Sequence, residues 1–456
     1  MTLNTLKQWK LYPNYKPSGV DWLGDIPDSW EVKRLRYLSK KITAGPFGSN
    51  LTKNIYTSTG YKIYGQEQVI ASDFSIGDYY ISKEKYDQMS QYKINSGDIL
   101  ISCVGTFGKV AVVPKNIEQG IINPRLIKLI PITEYINSVY LEKLLKSVVA
   151  FEQMEKLSRG GTMGVINIGL LSDILLPIPP LPEQEKIAQF LDKETAKIDK
   201  LITLKERLIE LLKEKRTALI SHAVTKGLNP DVPMKDSGVE WLGFIPEHWE
   251  VKRLKYIVPN ITVGIVVTPA KYYVESGIPC LRSVNISSGK IDNSNLVFIS
   301  SQSNELHQKS KIYKGDLVLV RTGVTGTAAI VTDNFDGANC VDLLIIRNSR
   351  LILTLYLYYY LNSSTTSYQV NNYSVGAIQA HYNTSTLSEL IITFPPPQEQ
   401  QKIAEYLDRK TEQIDQIINK TRESIEYLKE YRTVLISAAV TGKIDVRQWG
   451  GEEVRE

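Results

Sequence analysis

The sequence predicts a mixed α/β fold, of the α+β kind, built twice in one chain with a long helix after each copy. Three observations lead there. A leading block recurs almost unchanged, a proline-rich helix start recurs at nearly the same interval, and each copy holds paired β-rich runs around glycines. A chain of 456 residues suits two or three domains at about 150 residues each, so two full copies fit.

The leading block runs Ser18-Gly-Val-Asp-Trp-Leu-Gly-Asp-Ile-Pro-Asp-Ser-Trp-Glu-Val-Lys-Arg-Leu-Arg-Tyr37. It returns as residues 237–256 with fifteen of twenty positions identical, at an offset of 219. Pro179-Pro-Leu-Pro-Glu-Gln-Glu-Lys-Ile-Ala188 returns as Pro395-Pro-Pro-Gln-Glu-Gln-Gln-Lys-Ile-Ala404, and Arg216-Thr-Ala-Leu-Ile-Ser221 as Arg432-Thr-Val-Leu-Ile-Ser437, both at 216. Three blocks in one order at almost one spacing make an internal repeat. Landmarks survive between them: Gly97-Asp98, Gly105 and Gly108 match Gly315-Asp316, Gly323 and Gly326, and Gly160 and Asn167 match Gly376 and Asn383. Each half is a matched frame around a variable insert.

Within the first insert, residues 98–102 and 110–113 are β-rich and flank Gly105-Thr-Phe-Gly108 as a hairpin would, and residues 317–320 and 328–331 copy the pair. Helical stretches follow at residues 139–157 and 353–368. The first long helix opens with Pro182 and the acids Glu183 and Glu185 in its first turn, where proline and negative charge suit a helix start. Its apolar stripe is Ile187, Leu191, Ile198, Leu201, Leu208, Leu212 and Leu219, interrupted by Glu194, Lys205 and Lys215, and Gly227 stops it. The second runs Ile403, Leu407, Ile414, Ile417, Leu428 and Leu435 to Gly442. Each has roughly 40 residues, about 60 Å of helix. A single apolar stripe that long needs a partner, and the other copy is the obvious one. Residues 228–236 hold two prolines without periodicity and read as the linker.

A search for catalytic chemistry finds none. Cys103, Cys280 and Cys340 lie far apart and read as reduced thiols of a cytosolic protein, and the four histidines form no metal-binding spacing. Gly105-Thr-Phe-Gly108-Lys109-Val110 is too short for a phosphate loop and lacks its Ser or Thr, and the second copy has Thr327 for the lysine. Gly160-Gly161-Thr-Met-Gly164 does not match the dinucleotide pattern. There is no Asn/Asp-Pro-Pro-aromatic motif and no G-x-S-x-G elbow. The amino terminus has no signal-peptide core, and the longest apolar run, residues 351–361, is too short to span a bilayer. A soluble, cytoplasmic chain with no catalytic residue, no metal and no cofactor of its own is the expectation.

What remains is binding. Residues 31–180 carry 18 Lys and Arg against 13 Asp and Glu, and residues 250–394 carry 12 against 9, so the basic surplus sits in the inserts. Tyrosine outnumbers phenylalanine 26 to 9, as suits wet contact surfaces that need an aromatic with a polar tip.

The paired Ser-Gly-Val-x-Trp-Leu-Gly-x-Ile-Pro-x-x-Trp blocks, the Pro-Pro-x-x-Glu-Gln-x-Lys-Ile-Ala helix starts and the two-fold repeat resemble the specificity subunit of type I restriction-modification enzymes, over nearly the whole chain. The resemblance implies two DNA target-recognition domains, residues 1–178 (leading block 18–37) and 237–394 (leading block 237–256). Between and after them it places two antiparallel, pseudo-two-fold coiled-coil spacer helices at residues 179–227 and 395–442, the linker 228–236 and a tail 443–456. It also implies partners: double-stranded DNA with a bipartite site, two modification subunits carrying S-adenosylmethionine, and two restriction subunits carrying ATP and Mg. Trp22, Trp30, Trp241 and Trp249 are then candidate partner anchors, or packing between insert and helix. Base-reading residues follow no family motif, so chemistry nominates polar and cationic residues near the glycine-rich turns. In the first insert these are Ser49, Lys53, Gln66, Gln68, Thr106, Lys109, Arg159 and Thr162. In the second they are Lys271, Arg282, Asn285, Arg321, Thr322, Thr325, Gln379 and His381. Three rival readings are the recognition subunit of a system that cuts on both sides of its site, a self-contained nuclease or methylase, and a coiled-coil scaffold.

Overall fold

The computed structural model describes residues 9–47, 50–103, 108–158, 168–287, 289–321, 327–373 and 383–450. It divides into two compact units, residues 1–205 with 423–456, and residues 206–422. Among the described residues no helix is long and apolar enough to cross a membrane.

In the first unit, strands β1 (Tyr15–Pro17) and β2 (Asp25–Pro27) pair antiparallel, and β3 (Glu31–Arg34) waits for a strand late in the insert. The insert supplies β4 (Ser39–Ala44), β5 (Tyr61–Tyr64), α1 (Gln66–Ala71), β6 (Tyr80–Ile81), α2 (Lys83–Gln88), β7 (Ile99–Ser102), β8 (Val110–Val112), β9 (Gly120–Ile122) and β10 (Leu126–Pro131). Helices α3 (Ser138–Lys146), α4 (Val148–Ser158) and α5 (Ile168–Asp173) lead to β11 (Leu175–Ile178), the partner of β3, and to the long α6 (Leu181–Lys226). The sheets are β4-β10-β7-β8, all antiparallel, and β6-β5-β9, in which β5 and β9 run parallel.

The second unit repeats the plan. β12 (Met234–Asp236) pairs β13 (Phe244–Pro246), and β14 (Glu250–Arg253) pairs the last strand of its insert. β15 (Ile261–Val263), β16 (Tyr273–Val274), β17 (Ile278–Leu281), β18 (Ile286–Ser287), β19 (Lys290–Ile291), β20 (Val297–Ile299), α7 (Ser301–Leu306), β21 (Leu317–Val320), β22 (Ala328–Ile330), β23 (Asn339–Cys340) and β24 (Leu343–Ile346) form the insert. α8 (Thr354–Leu361), α9 (Ser364–Tyr373), α10 (Thr384–Ser388) and β25 (Ile391–Phe394) lead to α11 (Pro397–Val440). The β15-β24-β21-β22 sheet copies its antiparallel counterpart, and β17 with β23 copies the parallel pair.

Both predicted hairpins form, β7 with β8 and β21 with β22. Each predicted insert helix is broken in two. Asn137 caps α3 by accepting the Val139 and Tyr140 N–H groups, and the chain then turns extended at Ser147, whose hydroxyl donates to Leu144 O at 2.6 Å. Ser363 makes the same 2.6 Å bond to Tyr360 O between α8 and α9. The expected linker ends early, because residues 234–236 form β12. Residues 443–450 are no loose tail: Ile444 and Val446 are buried, and Trp449 meets Phe190 edge-on at 5.4 Å.

The repeated Glu-Gln of each helix start has an atomic explanation. Gln184 accepts the Asn137 N–H at 2.8 Å and donates to Pro179 O, so it ties the start of α6 to the start of α3; Gln400 does the same with Leu353 and Pro395. Glu183 accepts the indole N–H of Trp30 at 3.0 Å, and Glu399 that of Trp249 at 2.9 Å. Burying an indole is favourable only when its N–H finds such an acceptor.

The long helices pair antiparallel within each unit. In the first, Leu435 and Val440 from the end of α11 join Ile187, Leu191 and Ile198 from the start of α6, and Arg432 contacts Asp199 at 2.9 Å. In the second, Ile220 and Val224 from the end of α6 join Ile403 and Leu407, and Arg216 contacts Asp415 at 3.2 Å. Both ion pairs have position numbers summing to 631, and each is the other shifted by 216, so one register serves both units. The predicted stripe needs correction. Leu201, Leu208 and Ile417 are exposed, whereas Ile209, Ile418 and Ile425 are buried. The inward row of α6 passes through Lys205 and Arg216, both half-buried, with the Arg216 guanidinium turned to Asp415.

Candidate nucleic-acid interface

Strand register brings several loops of each insert to one sheet end. Ile127 of β10 lies opposite Ala44 of β4, Leu126 opposite Ser102 of β7, and Ile101 opposite Val110 of β8. The chain therefore leaves β4 through Gly45-Pro-Phe47, enters β10 through Asn123-Pro-Arg125, and enters β8 through Gly108-Lys109, all at that end. Asn123 N–H donates to Tyr64 O at 2.8 Å, which draws in the β5–α1 junction, and Gln66 there donates to the Ser102 hydroxyl at 2.6 Å. Lys109 and Arg125 are exposed, and Phe47 stands 81% exposed. An exposed aromatic side chain at the same sheet end as two exposed cations suits a polyanion with flat, partly apolar bases.

The second unit builds the same end with other side chains. Leu344 opposite Val263, Leu343 opposite Val320 and Leu319 opposite Ala328 gather residues 264–268, 341–342, Arg321 and Thr327. Val341 N–H donates to Leu281 O at 2.7 Å and adds the neighbourhood of Arg282. Arg321 contacts Asp342 at 2.9 Å, and Arg282 donates to Asn295 O at 2.6 Å. Two of the four described non-glycine residues at positive φ, Thr268 at 40° and Asp342 at 50°, sit here. A β-branched residue in that region is strained, and such strain persists only where the surroundings enforce it. Matching the repeats position by position, Phe47, Gln66, Lys109 and Arg125 give way to Val266, Ser283, Thr327 and Asp342. The scaffold is held constant while the presented chemistry changes.

The nominated residues divide accordingly. Gln66 and Lys109 meet at the first edge, and Arg282 and Arg321 at the second. Lys53 and Lys271 are exposed on the short 3-10 turns that follow β4 and β15, with the Lys271 ammonium 4.7 Å above the Tyr272 ring. Gln68 and Asn285 are corrections. Both are fully buried and spend their amides on the backbone, Gln68 accepting Gly65 N–H at 2.7 Å and Asn285 accepting Arg282 N–H at 3.0 Å, so neither reaches a groove. Ser49, Thr106, Arg159, Thr162, Thr322, Thr325, Gln379 and His381 lie outside the described residues. Sequence reasoning passed over Phe47, Arg125, Val266, Val267 and Asp342. The signals were a phenylalanine between glycines and two adjacent valines just before Thr268-Pro269.

Of the tryptophans, Trp30 and Trp249 are fully buried, so they lock each leading block to its helix and are not surface anchors. Trp22 is exposed beside Val149, Gln153 and Leu175, and Trp241 is half-buried, 5.9 Å from Tyr368. A separate apolar row, Leu201, Leu204, Leu208 and Leu211, is exposed along α6 at helical spacing. The corresponding positions of α11 are Ile417, Lys420, Ser424 and Tyr427.

The cysteines near these edges are buried. Burial pushes the Cys103 thiol up, and the Cys280 thiol to about 12, so neither is a thiolate. Among the described residues no group of three or more His, Cys, Asp or Glu side chains can hold a metal ion.

Comparison with known proteins agrees with this architecture. The profile of the type I restriction modification DNA specificity domain matches residues 27–214 and again 246–427. The type I restriction enzyme MjaVIII specificity subunit of Methanocaldococcus jannaschii is 25% identical over 92% of this chain and 94% of its own. A chain from a structural study of complex assembly and conformational transition of the type I R-M system superposes with TM-score 0.72 at 17% identity, over 91% of this chain and 98% of that one. The HsdS subunit of Thermoanaerobacter tengcongensis gives TM-score 0.54 at 18% identity, over 92% and 98%. With the profile matched once in each repeat and over most of both, the chain belongs to the type I restriction modification DNA specificity domain family.

Proposed function

We propose that this chain is the DNA sequence-recognition subunit of a type I restriction-modification enzyme, without catalysis of its own. Each unit reads one half of a bipartite site through its four-stranded-sheet end, and the long helices set the interval between the halves. The observation that carries this reading is the repeated edge: one backbone plan presents Phe47, Gln66, Lys109 and Arg125 in one copy and Val266, Ser283, Thr327 and Asp342 in the other. A scaffold conserved in geometry and varied in presented groups is what two different half-sites require. Methyl transfer, with S-adenosylmethionine, belongs to two modification subunits, and ATP- and Mg-dependent translocation and cleavage to two restriction subunits. The exposed leucines of α6, with Trp22 and Trp241, offer apolar surface for those partners. Genome-wide mapping of methylated adenines in cells with and without the gene tests the proposal. One bipartite motif should lose methylation. Unchanged methylation, together with methylation or cleavage by the purified chain alone, would overturn it.

A further inference from the structure

We propose that the apolar tips at the two sheet ends, Phe47 in the first unit and Val266 with Val267 in the second, are specificity determinants that read thymine methyl groups in the major groove. The inference rests on the DNA-recognition reading above and deepens it.

The two tips are built alike. Each follows a glycine that no other residue can replace: a methyl group on Gly45 would overlap the Asn123 carbonyl, and one on Gly264 would overlap that of Cys340. Each glycine N–H donates 2.8 Å into the next strand, Gly45 to Leu126 O and Gly264 to Leu343 O. The next residue is buried in both copies, Pro46 and Ile265. Only then does the chain present its apolar group, with Phe47 81%, Val266 49% and Val267 69% exposed. In the second unit the strained Thr268, at φ 40°, closes the same loop. A pinned backbone leaves only side-chain rotamers to be ordered on binding, so less of the contact energy is lost than on a free loop.

The surroundings select the occupant. Lys109 and Arg125 stand exposed at the first end; in the second unit Lys271 is exposed on the turn just after the valines, while Arg321 is half-buried against Asp342 and can offer its remaining N–H groups to polar base edges. In the major groove of duplex DNA the apolar feature a protein can meet is the thymine C5-methyl. Phenylalanine in one copy and a valine pair in the other differ in reach, so the thymines they contact sit differently within the two half-sites.

The test uses the chain assembled with its modification subunits. Duplexes carrying the methylated motif have each thymine replaced in turn by uracil, which keeps base pairing and removes only the methyl. The intact chain should lose about fourfold in affinity at one or more thymines of each half-site, the equivalent of one buried methyl-sized group. Phe47→Ala should abolish the thymine-to-uracil difference in the first half-site alone, and Val266→Ser with Val267→Ser in the second alone. All three positions are exposed, and unchanged melting temperatures verify folding. Specific binding that is indifferent to uracil, or variants that keep the full difference, overturns the methyl-reading inference and leaves the recognition reading standing. Absence of any sequence preference, with Lys109→Ala/Arg125→Ala binding DNA as the intact chain does, overturns both.

Discussion

Removing Glu183 should destabilise the chain about twice as much as removing its repeat counterpart Glu399, and the structure says why. Glu183 is only 7% exposed and accepts two donors, the Trp30 indole N–H at 3.0 Å and the Tyr12 hydroxyl. Both donors are buried. Burial and the Glu183 carboxylate hold the Tyr12 hydroxyl protonated far above the usual tyrosine range, so it remains a donor at any working pH. In Glu183→Ala two buried donors lose their acceptor at about 1–3 kcal/mol each, or about 2–6 kcal/mol in all. Glu399 accepts the buried Trp249 N–H, but its second partner is His248, whose side chain is 43% exposed and can turn to water. Glu399→Ala therefore orphans one buried donor and costs about 1–3 kcal/mol. For units of this size each kcal/mol lowers a melting midpoint by about 2–4 °C, so the two variants are separable by calorimetry of the full chain. Glu183→Gln, which keeps an acceptor oxygen, should recover part of the loss. Equal destabilisation by the two alanine variants, or no recovery with Gln, would refute the reasoning.

Asp199→Ala and Asp415→Ala should each cost under about 1 kcal/mol in urea denaturation, because both ion pairs are partly exposed. Lys109→Ala should lower the slope of log affinity against log salt by about 0.9 if it meets one phosphate, measured by titration of a duplex at several salt concentrations. Replacing residues 38–178 with the insert of another such subunit should change one half of the methylated motif and leave the other, as adenine-methylation mapping would show. A change in both halves would refute independent reading.

The frame was legible in the sequence because its residues perform the same contacts twice. Glu183 and Gln184 reappear as Glu399 and Gln400 because the same indole and the same helix start must be satisfied. The hairpins were legible because β-rich runs lay close together around glycines. The parallel pairing of β5 with β9 was not, since some 55 residues separate the strands and no local pattern announces it. The helix seam was misplaced because Lys205 and Arg216 occupy inward positions while leucines face out, so counting apolar residues picks a neighbouring face. The interface was half legible. Composition nominates polar residues near turns, but only strand register separates Gln66, which reaches the edge, from Gln68, which caps the backbone beneath it.

The pseudo-symmetry makes a stronger claim: the first half should complete itself with a second copy of itself. The first unit's core takes Leu435, Ala438, Ala439 and Val440 from α11. Shifted by 216, these are Leu219, His222, Ala223 and Val224, so three of the four are unchanged in a neighbouring α6. The polar contacts transfer too. Asp199 would meet Arg216 of the second copy where it now meets Arg432. Tyr140 hydroxyl, 3.4 Å from Val440 O, would find Val224 O, which already accepts from Tyr356 at 3.1 Å. Lys443 donates to Leu23 O and Asp25 O, and Lys226 donates to the repeat carbonyls of Leu242 and Phe244, so one lysine can serve for the other. What is lost is Ile444, Val446 and Trp449, a deficit of several kcal/mol at about 1.5–3 per buried side chain, so the assembly should be weaker than the intact unit. Residues 1–227 should thus form a concentration-dependent two-fold dimer in sedimentation. With modification subunits, that dimer should direct methylation to a palindrome made of the first half-site twice, since two-fold protein symmetry is mirrored in the site. A fragment that stays monomeric at every concentration, or a methylated motif that is not palindromic, would show that the shared register of the helices does not suffice for assembly.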